Sequence, residues 1–194
     1  MSIVTTLSLI RHGQTDWNAV GKLQGREDIP LNDFGREQAK KLAHYFSLQQ
    51  WDCIVTSPLQ RAFETARIIS NSLQNIQIHT NALLVERCWG QASGLTYEQR
   101  KETFPDGIIP QQEEFEPLQQ RAMQAMNDII RQHEGKHVIV VSHGALINAV
   151  LHAVSHGEFG SFKTRLANAC ISILQYNNSS WNVLFYNKTV DELL

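Results

Sequence analysis

Val138-Ile139-Val140-Val141-Ser142-His143-Gly144 is an uninterrupted apolar run that stops at a serine, a histidine and a glycine. Four branched apolar residues without polar alternation suit a central parallel strand covered on both faces. Such a strand needs a helical crossover on each side, and the flanking sequence supplies both. Upstream, Pro117 opens a helix with Leu118, Ala122, Ala125, Ile129 and Ile130 on one side. Downstream, an apolar helix runs from Ala145 to about Val154. The chain begins in the same style, Thr6-Leu7-Ser8-Leu9-Ile10 ending in Arg11-His12-Gly13.

Between these two strands the alternation continues. Asn32 or Asp33 caps a helix that buries Ala39, Leu42, Ala43 and Phe46, an i, i+3, i+4, i+7 stripe. Asp52 to Thr56 reads as a strand. Ser57-Pro58 then reads as a helix start, with Ser57 as N-cap and Pro58 at the first helical position, followed by Ala62, Ala66, Ile69 and Leu73. Ile76 to Ile78 is a third strand, and Thr96 to Phe104 a short helix. Cys170 to Tyr176 and Trp181 to Tyr186, around Asn177-Asn178-Ser179-Ser180, form a hairpin. The predicted fold class is α/β: a three-layer sandwich with a mostly parallel central sheet, helices on both faces, and an antiparallel edge strand or C-terminal hairpin.

A chain of 194 residues, 42% hydrophobic, is long enough to bury a core in one domain. Seventeen Lys and Arg against nineteen Asp and Glu leave a net charge of −2, without the basic stripe of a nucleic-acid binder. No apolar run approaches the roughly 18 residues of a membrane span. Met1 to Ile10 lacks the charged start, long apolar stretch and cleavage site of a secretion signal. Three widely spaced cysteines, Cys53, Cys88 and Cys170, make no disulfide framework. The expectation is a cytoplasmic protein with no nucleic-acid or membrane partner.

In an open α/β sheet, ligands bind beyond the carboxyl ends of the strands, where His12 and His143 both fall. Arg61 lies one turn inside the helix after the second strand, at an end that already attracts anions. Two arginines and two histidines at one sheet edge suit a small anion, and phosphate matches arginine's paired donors. A neutral imidazole can attack phosphorus, whereas a protonated one can donate to a phosphoryl oxygen; two histidines could divide those tasks. Spacing leaves open which does which.

The blocks around these residues resemble the histidine phosphatase superfamily, the phosphoglycerate mutase-like proteins. Arg11-His12-Gly13-Gln14-Thr15-Asp16-Trp17-Asn18 is similar to its opening signature. Gln24-Gly25, Asp28, Pro30-Leu31, Gly35 and Gln38-Ala39 are similar to the segment after it. Ser57-Pro58-Leu59-Gln60-Arg61-Ala62 to Ala66, Glu86-Arg87-Cys88-Trp89-Gly90 with Gly94-Leu95, and Val140 to Gly144 resemble the later blocks, in the family's order.

The resemblance implies that His12 is the nucleophile and forms a phosphohistidine. It implies that Arg11, Arg61 and His143 hold the phosphoryl oxygens, and that Glu86 protonates the leaving alcohol and then activates water. Asn18, Gln24, Gly25 and Gly144 match positions lining the phosphate or substrate, and Arg87 is read as a partner in a structural ion pair. Residues 1–194 would be a single domain of this kind, with residues about 87–116 forming a small cap. The implied partner is a small phosphorylated metabolite; no cofactor or metal is implied, and a homodimer is left open.

The family contains mutases and phosphatases. Mutases acting on phosphoglycerate carry a longer, Arg- and Lys-rich middle insertion; here Arg100, Lys101, Arg121, Arg131 and Lys136 are scattered. The short chain favours a phosphatase, with a mutase or a non-catalytic phospho-ligand binder as alternatives. Gln112-Glu113-Glu114-Phe115-Glu116 replaces a Gly-Glu-Ser motif of some family phosphatases and reads as a solvated helix start. His152 and His156 are four apart on a predicted helix, a metal-compatible spacing without a third ligand, so packing is expected of them. The four tryptophans are read as packing residues, with Trp89 the one placed to reach a substrate.

Overall fold

The computed structural model describes residues 3–194. Six strands form one sheet: β1 (Thr5–Arg11), β2 (Cys53–Thr56), β3 (Ile78–Thr80), β4 (His137–Ser142), β5 (Ile171–Asn177) and β6 (Ser180–Lys188). Their order across the sheet is β3-β2-β4-β1-β5-β6. The first four strands run parallel; β5 is antiparallel to β1, and β6 to β5.

The helices are α1 (Asp16–Ala19), α2 (Asp33–Ser47), α3 (Gln60–Ser72), α4 (Tyr97–Thr103), α5 (Phe115–Gln132), α6 (Gly144–Val154) and α7 (Val190–Leu193). Strand side chains alternate between two cores, because successive residues point to opposite faces. Leu7, Leu9, Val138 and Val140 pack with α5 and α6, whereas Ile10, Ile54, Ile139 and Val141 pack with α2 and α3. This is the three-layer α/β architecture read from the sequence. Among the described residues, no helix is long and apolar enough to cross a membrane.

The C-terminal hairpin closes through Asn178 and Ser179, both at positive φ (48° and 62°), with Asn177 paired to Ser180. That is the two-residue turn whose twist matches a hairpin. Thr15 and Asn18 form a reciprocal capping box on α1, a four-residue helix absent from the sequence reading, which took this stretch as loop.

Helix α3 corrects the reading of Ser57. Its N-cap is Leu59, which makes no side-chain cap bond, and Asp28 supplies the cap from a distant loop. Asp28 Oδ1 accepts from Gln60 N–H at 2.7 Å and Oδ2 from the Gln60 amide at 3.1 Å. Ser57 is engaged elsewhere: its hydroxyl lies 2.8 Å from His143 Nε2. Pro117 falls at the third position of α5, where a missing N–H is still harmless.

Candidate active site

Strands β1 and β4 are neighbours in register, Arg11 opposite Ser142, so both His-Gly turns leave the sheet at one edge. The rings of His12 and His143 lie 5.2 Å apart, tilted by 58°. Two glycines allow this turn. A Cβ on Gly13 would lie 2.4 Å from the Gly35 carbonyl oxygen, and one on Gly35 would lie 2.1 Å from that of Gln14. Backbone therefore packs directly on backbone where the first loop crosses α2.

His12 Nδ1 lies 2.6 Å from the Gly13 carbonyl oxygen. A carbonyl only accepts, so Nδ1 carries the proton and Nε2 keeps its lone pair. His12 is 2% exposed and His143 fully buried. Burial, then the charges of Arg61 and Arg11, hold both rings well below the ordinary histidine value, with each ring also close enough to the other for His12 to depress His143. Both are neutral at pH 7, and a neutral imidazole can act as a nucleophile.

Arg61 projects from the first turn of α3. Its Nη1 donates to Glu27 O (2.6 Å) and Nη2 to Gly25 O (2.7 Å). Burial lowers it to about 10, against the attraction of Glu86 and Asp28. Arg11 is anchored by a bond from Nη1 to Leu166 O and is lowered chiefly by burial. Among the described residues, Arg11 Nε, Arg61 Nε and His143 Nδ1 are buried without a hydrogen-bond partner. Three unpaired donor nitrogens on residues neighbouring His12 suit an oxygen-rich anion, since leaving such donors unpaired is costly.

Glu86 follows a short 3-10 turn, Ala82–Leu84. Its carboxylate accepts from Arg87 N–H (2.8 Å), Ala145 N–H (3.1 Å) and Leu146 N–H (3.2 Å). It thus sits on the N-terminal end of α6, beside Gly144, where free N–H groups and the helix dipole favour an acceptor.

The segment carrying Glu86 is held from behind by Arg121, half-buried on the core stripe of α5. Arg121 donates to the carbonyls of Leu83 (2.8 Å), Val85 (2.7 Å) and Glu86 (3.1 Å). It also forks onto Glu113, Nε to Oε1 at 2.7 Å and Nη2 to Oε2 at 2.9 Å. Glu113 Oε2 accepts from Cys88 N–H as well (3.0 Å). Burial alone would raise the Glu113 carboxyl; the bonds from Arg121 and Cys88 outweigh it and lower it.

A cleft of about 710 Å³ opens here, with Arg11, His12, Asn18, Gln24, Gly25, Arg61, Glu86 and Gly144 on its lining, while His143 lies fully buried beside His12 and off that lining. Asn18 Oδ1 accepts from Thr15 N–H and from Asn168, and Gln24 Oε1 accepts from the Thr15 hydroxyl. Gly25 has φ +55°, and a Cβ there would lie 3.1 Å from both Arg87 O and the Trp89 ring. Residues 88–114 form an excursion closed at its base by the Trp89–Gln112 bridge and a bond from Glu113 N–H to Cys88 O. It brings Trp89, Tyr97 and Arg100 to the cleft.

The profile of the histidine phosphatase superfamily (branch 1) matches residues 7–189. The chain belongs to that superfamily. Among its relatives, the Bacillus subtilis (strain 168) phosphatase PhoE is 40% identical over 184 residues, covering 95% of each chain. Bacillus stearothermophilus YhfR superposes with a TM-score of 0.88 at 27% identity, over 95% of this chain and 98% of its own. A phosphoserine phosphatase variant from Entamoeba histolytica, solved in complex with phosphoserine, superposes with a TM-score of 0.85 at 28% identity, over 98% and 100%.

Several side chains of this histidine phosphatase sit otherwise than expected. Among the described residues Arg87 makes no ion pair; it donates to Glu113 O (2.8 Å) and stacks on Trp89 at 4.8 Å. Glu113 is no solvated helix start but the half-buried partner of Arg121, whereas Glu114 and Glu116 are exposed. His156 lies past the end of α6, so it does not share a helix with His152, which packs edge-on against Phe115. Arg121 and Asn168 were not singled out. An arginine within the apolar stripe of α5 was a legible signal, but nothing marked Asn168, whose amide donates to His12 O (3.2 Å) from a distant loop.

Proposed function

We propose that this histidine phosphatase hydrolyses phosphomonoesters of small metabolites through a phosphohistidine on His12, in the cytoplasm, where its three thiols stay reduced. The observation that carries the reading is the neutral His12 ring. Its Nδ1 proton is given to the Gly13 carbonyl, leaving the Nε2 lone pair beside two arginines.

In the first step the lone pair of Nε2 forms a bond to phosphorus as the bond to the leaving oxygen breaks. Glu86, protonated, delivers its proton to that oxygen, so an alcohol rather than an alkoxide departs. Arg11, Arg61 and His143 donate to the phosphoryl oxygens and stabilise their charge in the transition state. In the second step the Glu86 carboxylate takes a proton from water as the water oxygen attacks phosphorus. The P–N bond breaks and its electron pair returns to Nε2. The three donors, Arg11, Arg61 and His143, meet the charge that a metal would otherwise meet. Residues 88–114 act as a cap over the mouth of the cleft.

Release of the alcohol is favoured over retransfer by the fate of the cations between Gly94 and Ser142. Arg121 is spent on the Glu86 segment, Arg131 pairs with Asp128, and Lys136 pairs with Asp52. Arg100 alone of these lines the cleft.

The test uses labelled substrate and alkaline denaturation, because acid cleaves an N-linked phosphoryl group. Label on His12, its loss together with turnover in His12→Ala, and activity that survives chelation are the expected results. Label on a serine, or turnover persisting in His12→Ala, would overturn the reading.

A further inference from the structure

We infer that Ser57 is a positioning residue that fixes the tautomer of His143, so that the ring's one N–H points to the phosphoryl group. The inference rests on the reading of His143 as a phosphoryl donor. Ser57 and His143 are both fully buried. The Ser57 backbone is pinned to β4 by a bond from its N–H to Val141 O, 3.0 Å.

The proton count at the hydroxyl decides the direction of the 2.8 Å contact between Ser57 Oγ and His143 Nε2. Ser57 Oγ already accepts from Leu59 N–H at 3.3 Å. Its own proton has one acceptor within reach among the described residues, Nε2. If Nε2 carried a proton instead, the Ser57 hydroxyl would be a buried donor with nowhere to give, and Nδ1 would turn a lone pair toward an anion. Both faults vanish when Ser57 donates to Nε2 and Nδ1 carries the proton.

A neutral ring has only one N–H to place, and His143 is neutral. Arg61 from α3, His12 and Arg11 from the end of β1, and Arg121 from α5 all face it and depress its protonation, after burial itself. Nδ1 is the atom left without a partner. His12 and His143 therefore share one tautomer but turn opposite ends to the site. His12 has its N–H absorbed by Gly13 O and offers a lone pair; His143 has its lone pair absorbed by Ser57 and offers an N–H.

The experiment reads the tautomer directly, by NMR of the full-length protein with ¹⁵N-labelled histidine rings assigned through the backbone. In the resting wild-type protein, His143 should show a protonated Nδ1 and an unprotonated Nε2. A protonated Nε2 there overturns the proposal without any variant. Ser57→Ala should abolish the single-tautomer pattern. It should also lower kcat/KM by about 10- to 100-fold, the loss expected for one hydrogen bond to a charged group. The loss should be equal for aryl and alkyl phosphates, since both present the same phosphoryl oxygens, and vanadate affinity should fall in parallel. Ser57→Thr, which keeps the hydroxyl, should restore both pattern and rate. A Ser57→Ala protein with the wild-type ring pattern would assign Ser57 to packing alone. Failure of the parent reading is separate: the wild-type ring pattern would stand while no label reached His12.

Discussion

Arg121→Met should both destabilise the fold and disarm Glu86. The Arg121 and Glu113 side chains are 14% and 12% exposed, joined by two short bonds, and Arg121 also takes three carbonyls. Removing the arginine strands a half-buried carboxylate that, among the described residues, retains the Cys88 N–H and a long, solvent-side contact with Arg26 at 3.7 Å. Breaking a fully buried pair costs about 3–5 kcal/mol and a surface pair less than about 1, so this half-buried one is worth about 2–3 kcal/mol. At roughly 2–4 °C per kcal/mol for a chain of this size, Tm should fall by about 4–12 °C. Arg121→Met with Glu113→Gln removes the stranded charge, so it should recover a large part of that loss. The rate should not recover, because the carbonyls of Val85 and Glu86 still lack their clamp. Melting curves and turnover of an alkyl phosphate, below the lowered Tm, separate the two effects. A single variant melting within about 2 °C of wild type, or a double variant melting lower still, would refute the argument.

Three further outcomes follow from the same geometry. Glu86→Gln should slow alkyl phosphates far more than p-nitrophenyl phosphate, whose leaving group departs without a proton, and an equal pre-steady-state burst loss for both would make Glu86 a positioning group. Gly13→Ala forces its Cβ onto the Gly35 carbonyl at 2.4 Å, so the β1–α2 contact must open; turnover should collapse, and wild-type kinetics in that variant would count against the packing described. Stability should fall as pH drops below about 6.5, because the unfolded chain takes up protons on His12 and His143 that the native rings refuse; a urea midpoint flat from pH 8 to 5 would exclude this.

The layers and the sheet edge were legible because their signals are local and periodic. The apolar run at 138–141 and the helical stripes specify burial regardless of what packs on them. His12, Arg61 and His143 followed, since strand ends and a helix start fix where they emerge. Glu86 required the family resemblance, as nothing near it distinguishes it from a surface glutamate. Ser57 shows where local rules fail. Serine before proline is a sound helix start, but the hydroxyl has a buried imidazole as its alternative partner, and α3 takes its cap from Asp28, a residue 32 positions from the bond it accepts. Glu113 misled for a related reason: acidic residues before a helix suit its dipole, yet an arginine two turns along α5 claims this one.

The position of β1 between β4 and β5 also sets when the site can come into being. Thr6 pairs with His137 and Thr5 with Tyr176, so β1 is flanked by two strands from much later in the sequence. A chain growing from a ribosome presents Arg11 and His12 early, with neither neighbouring strand yet synthesised. Such distant pairing slows folding, because a long loop must close before any contact rewards it. A nascent fragment ending before Ser142 has His12 but no second histidine and no α6 end to seat Glu86. The assembly of His12, Glu86 and His143 at one sheet edge therefore waits until β4 and α6 have been made and have folded onto β1.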